Sequence, residues 1–220
     1  MENVKNMSSP YRLDISLTAD ETLSWKKGVR VLGVAESFEK SESRSILTGV
    51  VMRGDLRIDG FGVCTPTIGG SDSTDELISM FNRLNRKDIR AWMLGGSVIS
   101  WFNIVDIREL FKITKVPVIC ISYHPSNGIQ KYLREYFPDD WKPRKDLLER
   151  IGPRKQIKLQ TGHSLYLSTA GIGETRAINL LDKLTLDGRV PEPIRVARTI
   201  AAGLHRDFIS SVRLSSDSTN

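Results

Sequence analysis

Residues 29–66 hold three β-rich runs, VRVLGVAESF (Val29–Phe38), SILTGVVMRG (Ser45–Gly54) and RIDGFGVCTP (Arg57–Pro66), and their succession decides the fold. Valine, isoleucine and other large apolar residues recur in each run, as they do in strands that pack on a pleated surface. Gly54, Asp55 and Leu56 leave only a short turn between the second and third, so this part reads as an antiparallel meander. Ser73 and Glu76 then have the spacing of a capping box, opening a helix in which Leu77, Ile78, Phe81 and Leu84 recur at helical intervals. A basic run, Arg83, Arg86, Lys87 and Arg90, ends that helix before a strand over Ala91–Leu94.

Further on, Ile104, Ile107, Leu110 and Phe111 form a helical stripe, and VPVICIS (Val116–Ser122) has the unbroken apolar character of a buried strand. Strand, helix and strand in this order imply a parallel pair joined by a crossover. Helices are expected over about 128–137 and, after breaks at Pro138 and Pro143, about 144–151. Strands near Lys158 and over Leu165–Leu167 follow, then a helix over Glu174–Leu184 and a last one from Ile194 to about Ile209, with Pro191 and Pro193 setting up its first turn. The order predicts an α/β, ribonuclease H-like three-layer fold: a mixed sheet of three antiparallel strands and then parallel strands, with helices on both faces. A single domain over residues 28–213 holds it. Residues 1–27 read as a partly ordered extension, where Leu13, Ile15 and Leu17 alternate as in an edge strand, and 214–220 as a disordered polar tail.

Hydrophobic residues make up 40% and charged residues 26% of the 220, which excludes collagen-like, low-complexity and largely disordered classes. The run Ala91–Ile107 is too broken by Gly95, Gly96, Ser97, Ser100 and Asn103 to span a membrane, and the N-terminal residues lack the apolar core of a signal peptide. A cytoplasmic protein without a membrane partner is therefore expected. Cys64 and Cys120 lie in β-like runs, as buried thiols do. Without a Cys-x-x-Cys pair, and with His124, His163 and His205 scattered, structural zinc is excluded. The 32 basic residues exceed the 26 acidic ones by six, which favours an anionic partner. Lys142, Arg144, Lys145, Arg150, Arg154, Lys155 and Lys158 are opposed locally only by Asp146 and Glu149. Such a stretch either tracks nucleic-acid phosphates or forms a solvated face.

No phosphate loop is complete, since Gly171-x-Gly173 lacks the Gly-Lys-Ser/Thr ending, and no Gly-x-Ser-x-Gly elbow occurs. Carboxylate chemistry remains. A nuclease that uses a divalent metal needs acidic oxygens where central strands end. The first strand offers Glu36, the fourth ends in Gly95-Gly96 with none, and Asp72, Asp75 and Glu76 follow the third. Glu36, Asp72 and Glu76 are thus the candidate metal ligands, with the helix-dipole and capping roles of Asp72, Asp75 and Glu76 as the competing reading.

Thr161-Gly162-His163 followed by SLYLSTA, and then Arg189-Val190-Pro191-Glu192-Pro193-Ile194-Arg195-x-Ala197, resemble the C-terminal segments of endonuclease V. VRVLGVAESF, TGVVM and AWMLGGSVIS resemble that family's first, second and fourth strands. The resemblance extends over about residues 28–210 and is greatest to an uncharacterised archaeal branch of the endonuclease V-like superfamily. It implies a ribonuclease H-like fold, a DNA or RNA partner and phosphodiester cleavage aided by Mg²⁺ or Mn²⁺. It also places Ala35 where the family has its first-strand aspartate and Gly95 where it has the aspartate of Asp-Gly. His163 matches, and joins Glu36 as a candidate catalytic residue.

Three functional readings follow. The first is a nucleic-acid-binding protein in which metal-dependent cleavage is lost or weak, because Ala35 and Gly95 replace carboxylates. The second is an active Mg²⁺- or Mn²⁺-dependent endonuclease with a rearranged acidic site. The third is a protein-interaction scaffold anchored by Trp101, Phe102, Tyr132, Tyr136, Phe137 and Trp141.

Overall fold

The computed structural model describes residues 24–125 and 129–217, with side chains through Asp207. The strands are β1 (Arg30–Ser37), β2 (Ile46–Arg53), β3 (Ile58–Cys64), β4 (Ile89–Leu94), β5 (Val98–Ile99), β6 (Asn103–Ile104), β7 (Val118–Ser122), β8 (Lys155–Lys158) and β9 (Ser164–Ala170). The helices are α1 (Ser73–Leu84), α2 (Ile107–Thr114), α3 (Ile129–Tyr136), α4 (Trp141–Ile151), α5 (Glu174–Lys183) and α6 (Glu192–Asp217). Seven strands form one mixed sheet in the order β3-β2-β1-β4-β7-β9-β8. The expected meander is β3-β2-β1, and β1, β4 and β7 run parallel. β9 and β8 close the far edge as an antiparallel hairpin.

Side-chain alternation divides the core into two layers. Val31 and Ala35 of β1 pack with Ala177, Leu180 and Leu181 of α5 and Ile194 and Ala197 of α6. Leu32 and Val34, one residue out of phase, pack with Leu77 and Met80 of α1 and Ile107 and Leu110 of α2. Helices therefore cover both faces of the sheet, as the three-layer reading requires. Trp25 seals one edge of the first layer and donates its indole N–H to the Arg176 carbonyl at 2.9 Å.

Several local expectations are corrected. Pro143 does not break a helix; it lies in the first turn of α4, where its missing N–H has no intrahelical partner to lose. α6 runs past its expected end near Ile209 to Asp217; adding residues to a formed helix costs little. Ser73 is not a cap residue. It is the first residue of α1 and fully buried, and its N–H is taken by the Asn103 side chain at 3.1 Å, while Glu76 accepts weakly from the Thr65 N–H at 3.4 Å. The alternation at Leu13, Ile15 and Leu17 lies outside the described residues.

The first turn of α6 lies on the backbone of β1. A Cβ added at Gly33 would run into Pro193, 2.5 Å from its carbonyl carbon and 2.6 Å from its oxygen. Gly33→Ala is expected to destabilise the fold by roughly 1–3 kcal/mol or more, the usual scale of overpacking. A lower urea midpoint with an unchanged slope is the signature; an unaltered midpoint would show that α6 can shift freely.

Candidate functional site

The C-terminal ends of β1, β4 and β7 meet at one edge of the sheet, where open α/β sheets collect ligand-binding groups. The pairing of Val34 with Leu94 sets the next residues, Ala35 and Gly95, side by side. A cleft of about 370 Å³ wraps around these strand ends: Glu36, Leu47, Leu77, Ile99 and Val105 line it on the α1 and α2 side, and Ser37 and Arg198 line it on the α6 side. Ala35 faces the α6 layer, and a Cβ at Gly95 would point the same way, 3.2 Å from Ile194 Cγ2. The two positions that the resemblance matches to family aspartates are thus adjacent, share a face, and carry no oxygen ligand.

Glu36 lies on the opposite face. β1 stays paired with β2 through Ser37, opposite Ile46, so no bulge turns Glu36 toward Ala35. Its Oε2 accepts from the Ser100 N–H at 2.6 Å and from the Ser100 hydroxyl at 2.9 Å. Burial pushes the Glu36 pKa up, with the two Ser100 hydrogen bonds opposing part of that rise. What Glu36 holds is a strained turn: Ser100, Trp101 and Phe102 have φ of 42°, 53° and 66°, a left-handed conformation that costs L residues roughly 1–2 kcal/mol each. The Gly69 N–H on the Ser100 carbonyl, at 2.7 Å, and the rings of Phe137 and Tyr136 against Trp101 and Phe102 add to its support.

Asp72 is also committed. It accepts from the Thr67 N–H at 3.0 Å, the Thr67 hydroxyl at 2.7 Å and the Asn103 amide at 2.7 Å, and Arg44 approaches to 3.4 Å. Burial raises its pKa, but the Thr67 and Asn103 hydrogen bonds together outweigh burial and hold it below the ordinary aspartate value. His163 is exposed in the β8–β9 turn, with Nδ1 3.2 Å from the Thr161 carbonyl oxygen. Three strand spacings separate β9 from β1, on the order of 14 Å. Glu36, Asp72, Glu76 and His163 are therefore not gathered at one point. Among the described residues, no group of three or more His, Cys, Asp and Glu side chains is placed to hold a metal ion. A hard divalent cation takes several oxygen ligands, and one carboxylate occupied by Ser100 does not fit that demand.

The basic stretch separates into different roles. Arg144 is buried: it pairs with Asp140, donates to the carbonyls of Gly69, Gly70 and Phe102 at 2.8 Å, and stacks on Phe137. All of these acceptors converge on it inside the fold, so its donors are taken up there. Lys145 pairs with Glu149, Arg150 with Asp106, and Lys155 with Glu174, each at the surface. Lys142 lies beside the Trp141 ring, and Lys158 is exposed on the edge strand. Arg154 stands at the mouth of a neighbouring hollow lined by Gly95, Gly96, Phe102, Tyr123, His124 and Tyr132, and donates to the hydroxyls of Ser122 and Ser97 at 3.1 and 3.4 Å. Cys64 and Cys120 are buried thiols, pushed up by burial to about 12 and about 11, and lie four strands apart.

Sequence reasoning missed Arg198, one turn beyond the buried Ile194 on α6, although that spacing marks it as bordering the helix face on the sheet. Tyr132 and Tyr136, named among the aromatic anchors of the scaffold reading, stack on each other 6.3 Å apart and are both exposed, an arrangement that i, i+4 spacing on a helix allows.

This sheet order, with helices on both faces and a cleft at the parallel strand ends, defines a ribonuclease H-like protein of the endonuclease V type. Human endonuclease V aligns with a TM-score of 0.55 at 16% identity, over 83% of this chain and 86% of that one. The Streptomyces avermitilis enzyme gives 0.60 at 12% identity, over 84% and 86%. A Ciona intestinalis endonuclease V, solved with DNA containing an inosine, gives 0.56 at 14% identity, over 86% and 90%. The chain belongs to the endonuclease dU family, whose pattern matches residues 27–205. A UPF0215 protein from Pyrobaculum calidifontis is 32% identical over 180 residues, covering 81% of this chain and 98% of its own length. The corresponding protein of Methanothermobacter thermautotrophicus is 35% identical over 186 residues, covering 81% and 89%.

Two stability measurements check the committed carboxylates. For Glu36 the folded pKa lies above the unfolded one, so its contribution is fully present below the unfolded value and is lost as pH rises through the folded value. Glu36→Gln, whose amide oxygen still accepts from Ser100, is therefore expected to melt higher than the parent near pH 8, with the gap closing toward pH 4. A gap that widens on acidification would contradict this. For Asp72 the order is reversed: its contribution is present above the unfolded value and is lost as pH falls through the lower folded value. Asp72→Ala leaves Thr67 and Asn103 without their acceptor and is expected to cost roughly 2–4 kcal/mol at neutral pH in chemical denaturation.

Proposed function

We propose that this chain is a DNA-binding member of the endonuclease dU family in which metal-dependent phosphodiester cleavage is lost. One observation carries the reading: at the adjacent ends of β1 and β4 the residues are Ala35 and Gly95, and the single carboxylate among the residues lining the cleft, Glu36, lies on the other face of β1 with its Oε2 engaged by Ser100. Without clustered oxygen ligands, a divalent ion cannot be seated against a scissile phosphate there.

Binding has independent support. The family's name makes deoxyuridine-containing DNA the ligand to try first, and an endonuclease V structure has been solved with inosine-containing DNA. Tyr132 and Tyr136 present an exposed stacked pair beside the hollow that Arg154 borders, a combination suited to unpaired bases and their phosphates.

The test is a labelled single strand carrying one deoxyuridine, incubated with the protein in Mg²⁺, in Mn²⁺ and in EDTA. Retention on a native gel in all three, without metal-dependent nicking, is the expected result. Mn²⁺-dependent nicking that Glu36→Gln abolishes would establish the rearranged nuclease instead. Tyr132→Ala is expected to weaken retention about tenfold, since stacking contributes ~1–3 kcal/mol per base. Arg154→Ala is expected to flatten the plot of log affinity against log salt by about one unit. An unchanged slope would assign that arginine to an ordinary surface.

A further inference from the structure

On the α6 face of β1, two residues beyond Ala35, Ser37 borders the same cleft. Its Oγ lies 3.2 Å from His205 Nδ1, and His205 Nε2 lies 2.6 Å from Glu42 Oε2. The imidazole is buried and bridges three elements: α6, the end of β1 and the β1–β2 loop. Hydrogen-bond logic sets its tautomer. An ionised carboxylate only accepts, so Nε2 carries the proton toward Glu42; in the neutral ring Nδ1 is then bare, and Ser37 must donate to it. A hydroxyl donating to a bare imidazole nitrogen, with a carboxylate orienting the ring from behind, is the arrangement that activates a serine nucleophile. Glu42 is itself steadied by a weak hydrogen bond from the Glu39 N–H at 3.4 Å.

Arg198 and His205 are seven residues apart on α6, two turns along nearly one stripe, so the helix that supplies the base also contributes an arginine to the cleft lining, within reach of the Tyr123 phenol. A guanidinium stabilises the charge on a phosphoryl group as it is attacked. We propose that Ser37 is a nucleophile, with His205 as its base and Glu42 as the positioning residue, acting without metal on a phosphodiester seated against Arg198. In the first step Ser37 Oγ bonds to phosphorus as its proton passes to His205 Nδ1. The P–O bond to the leaving group breaks, and the proton on Nδ1 goes to the departing oxygen or, where that oxygen leaves as a stable anion such as 4-nitrophenolate, to solvent, so that Nδ1 is bare again. Water then attacks phosphorus, Nδ1 accepts its proton and returns it to Ser37 Oγ, and the serine is released. That the phosphodiester belongs to DNA rests on the function proposed above; the activation of Ser37 does not.

The experiment uses bis(4-nitrophenyl) phosphate and 4-nitrophenyl acetate with the full chain in EDTA, together with mass analysis of the peptide carrying Ser37. Release of 4-nitrophenolate from the phosphodiester and a 4-nitrophenyl phosphoryl adduct on Ser37 are expected. Ser37→Ala, which removes one hydroxyl, is expected to lose both. Glu42→Gln, which retains the shape, is expected to slow release roughly tenfold or more. The proposal is overturned by release that Ser37→Ala does not change, or by the absence of an adduct in a folded preparation. Turnover of the acetate alone through Ser37 would overturn the phosphodiester assignment. Binding of deoxyuridine-containing DNA by the same preparation is scored separately: adduct without binding retains the nucleophile and rejects the DNA reading, while binding without adduct does the reverse.

Discussion

The first turn of α6 rests on bare backbone at Gly33, and the rest of the functional edge depends on that contact. Pro191 and Pro193 hold the chain in a conformation suited to a helix start, and Arg195 secures it through Asp187 at 2.7 Å and Glu192 at 3.2 Å. Because the helix begins this close to β1, its next turns pass over the strand ends. Ala35 and Gly95 lie under it, Arg198 reaches the cleft, and His205 arrives beside Ser37. The spacing also limits what Gly95 can become, since any side chain there starts against Ile194.

The acidic residues that look available for chemistry are structural in a specific sense. Glu36 holds three consecutive left-handed residues through Ser100, and Asp72 gathers Thr67 and Asn103 beneath the start of α1. A carboxylate that accepts hydrogen bonds from buried N–H and O–H groups is poorly placed to ligate a metal ion, because releasing it would leave those donors unsatisfied. Arg144 shows the same logic with opposite charge. Its guanidinium fills a ring of carbonyls beneath the aromatic cluster, so the most buried member of the basic stretch contributes to packing and leaves no donor for a phosphate.

Most of the layer order was legible because it depends on local signals. The apolar runs at Val29–Phe38 and Ser45–Gly54 mark β1 and β2, the stripe through Leu77 marks α1, and the proline-flanked Glu192 marks the start of α6. The β5–β6 ribbon was not legible: Ser100, Trp101 and Phe102 adopt positive φ without a glycine or asparagine to signal it, and the conformation exists only because Glu36, Gly69 and the aromatic rings support it. The cap on α1 was likewise hidden, since it comes from Asn103, thirty residues beyond Ser73. At the site, the absence of carboxylates at 35 and 95 was readable by resemblance. The association of Ser37, Glu42 and His205 was not, because it joins His205 to residues 163 and 168 positions away and no short motif encodes it.

Under the function proposed above, this edge of the sheet keeps the endonuclease V fold but lacks clustered carboxylates to hold a divalent ion. Titrating Mn²⁺ into the protein while following the electron paramagnetic resonance of the free ion tests that claim most directly. The account predicts that the free-ion signal rises in proportion to added Mn²⁺, as it does in buffer, for both the parent and Glu36→Gln. Loss of about one equivalent of signal in the parent, restored by Glu36→Gln, would contradict it.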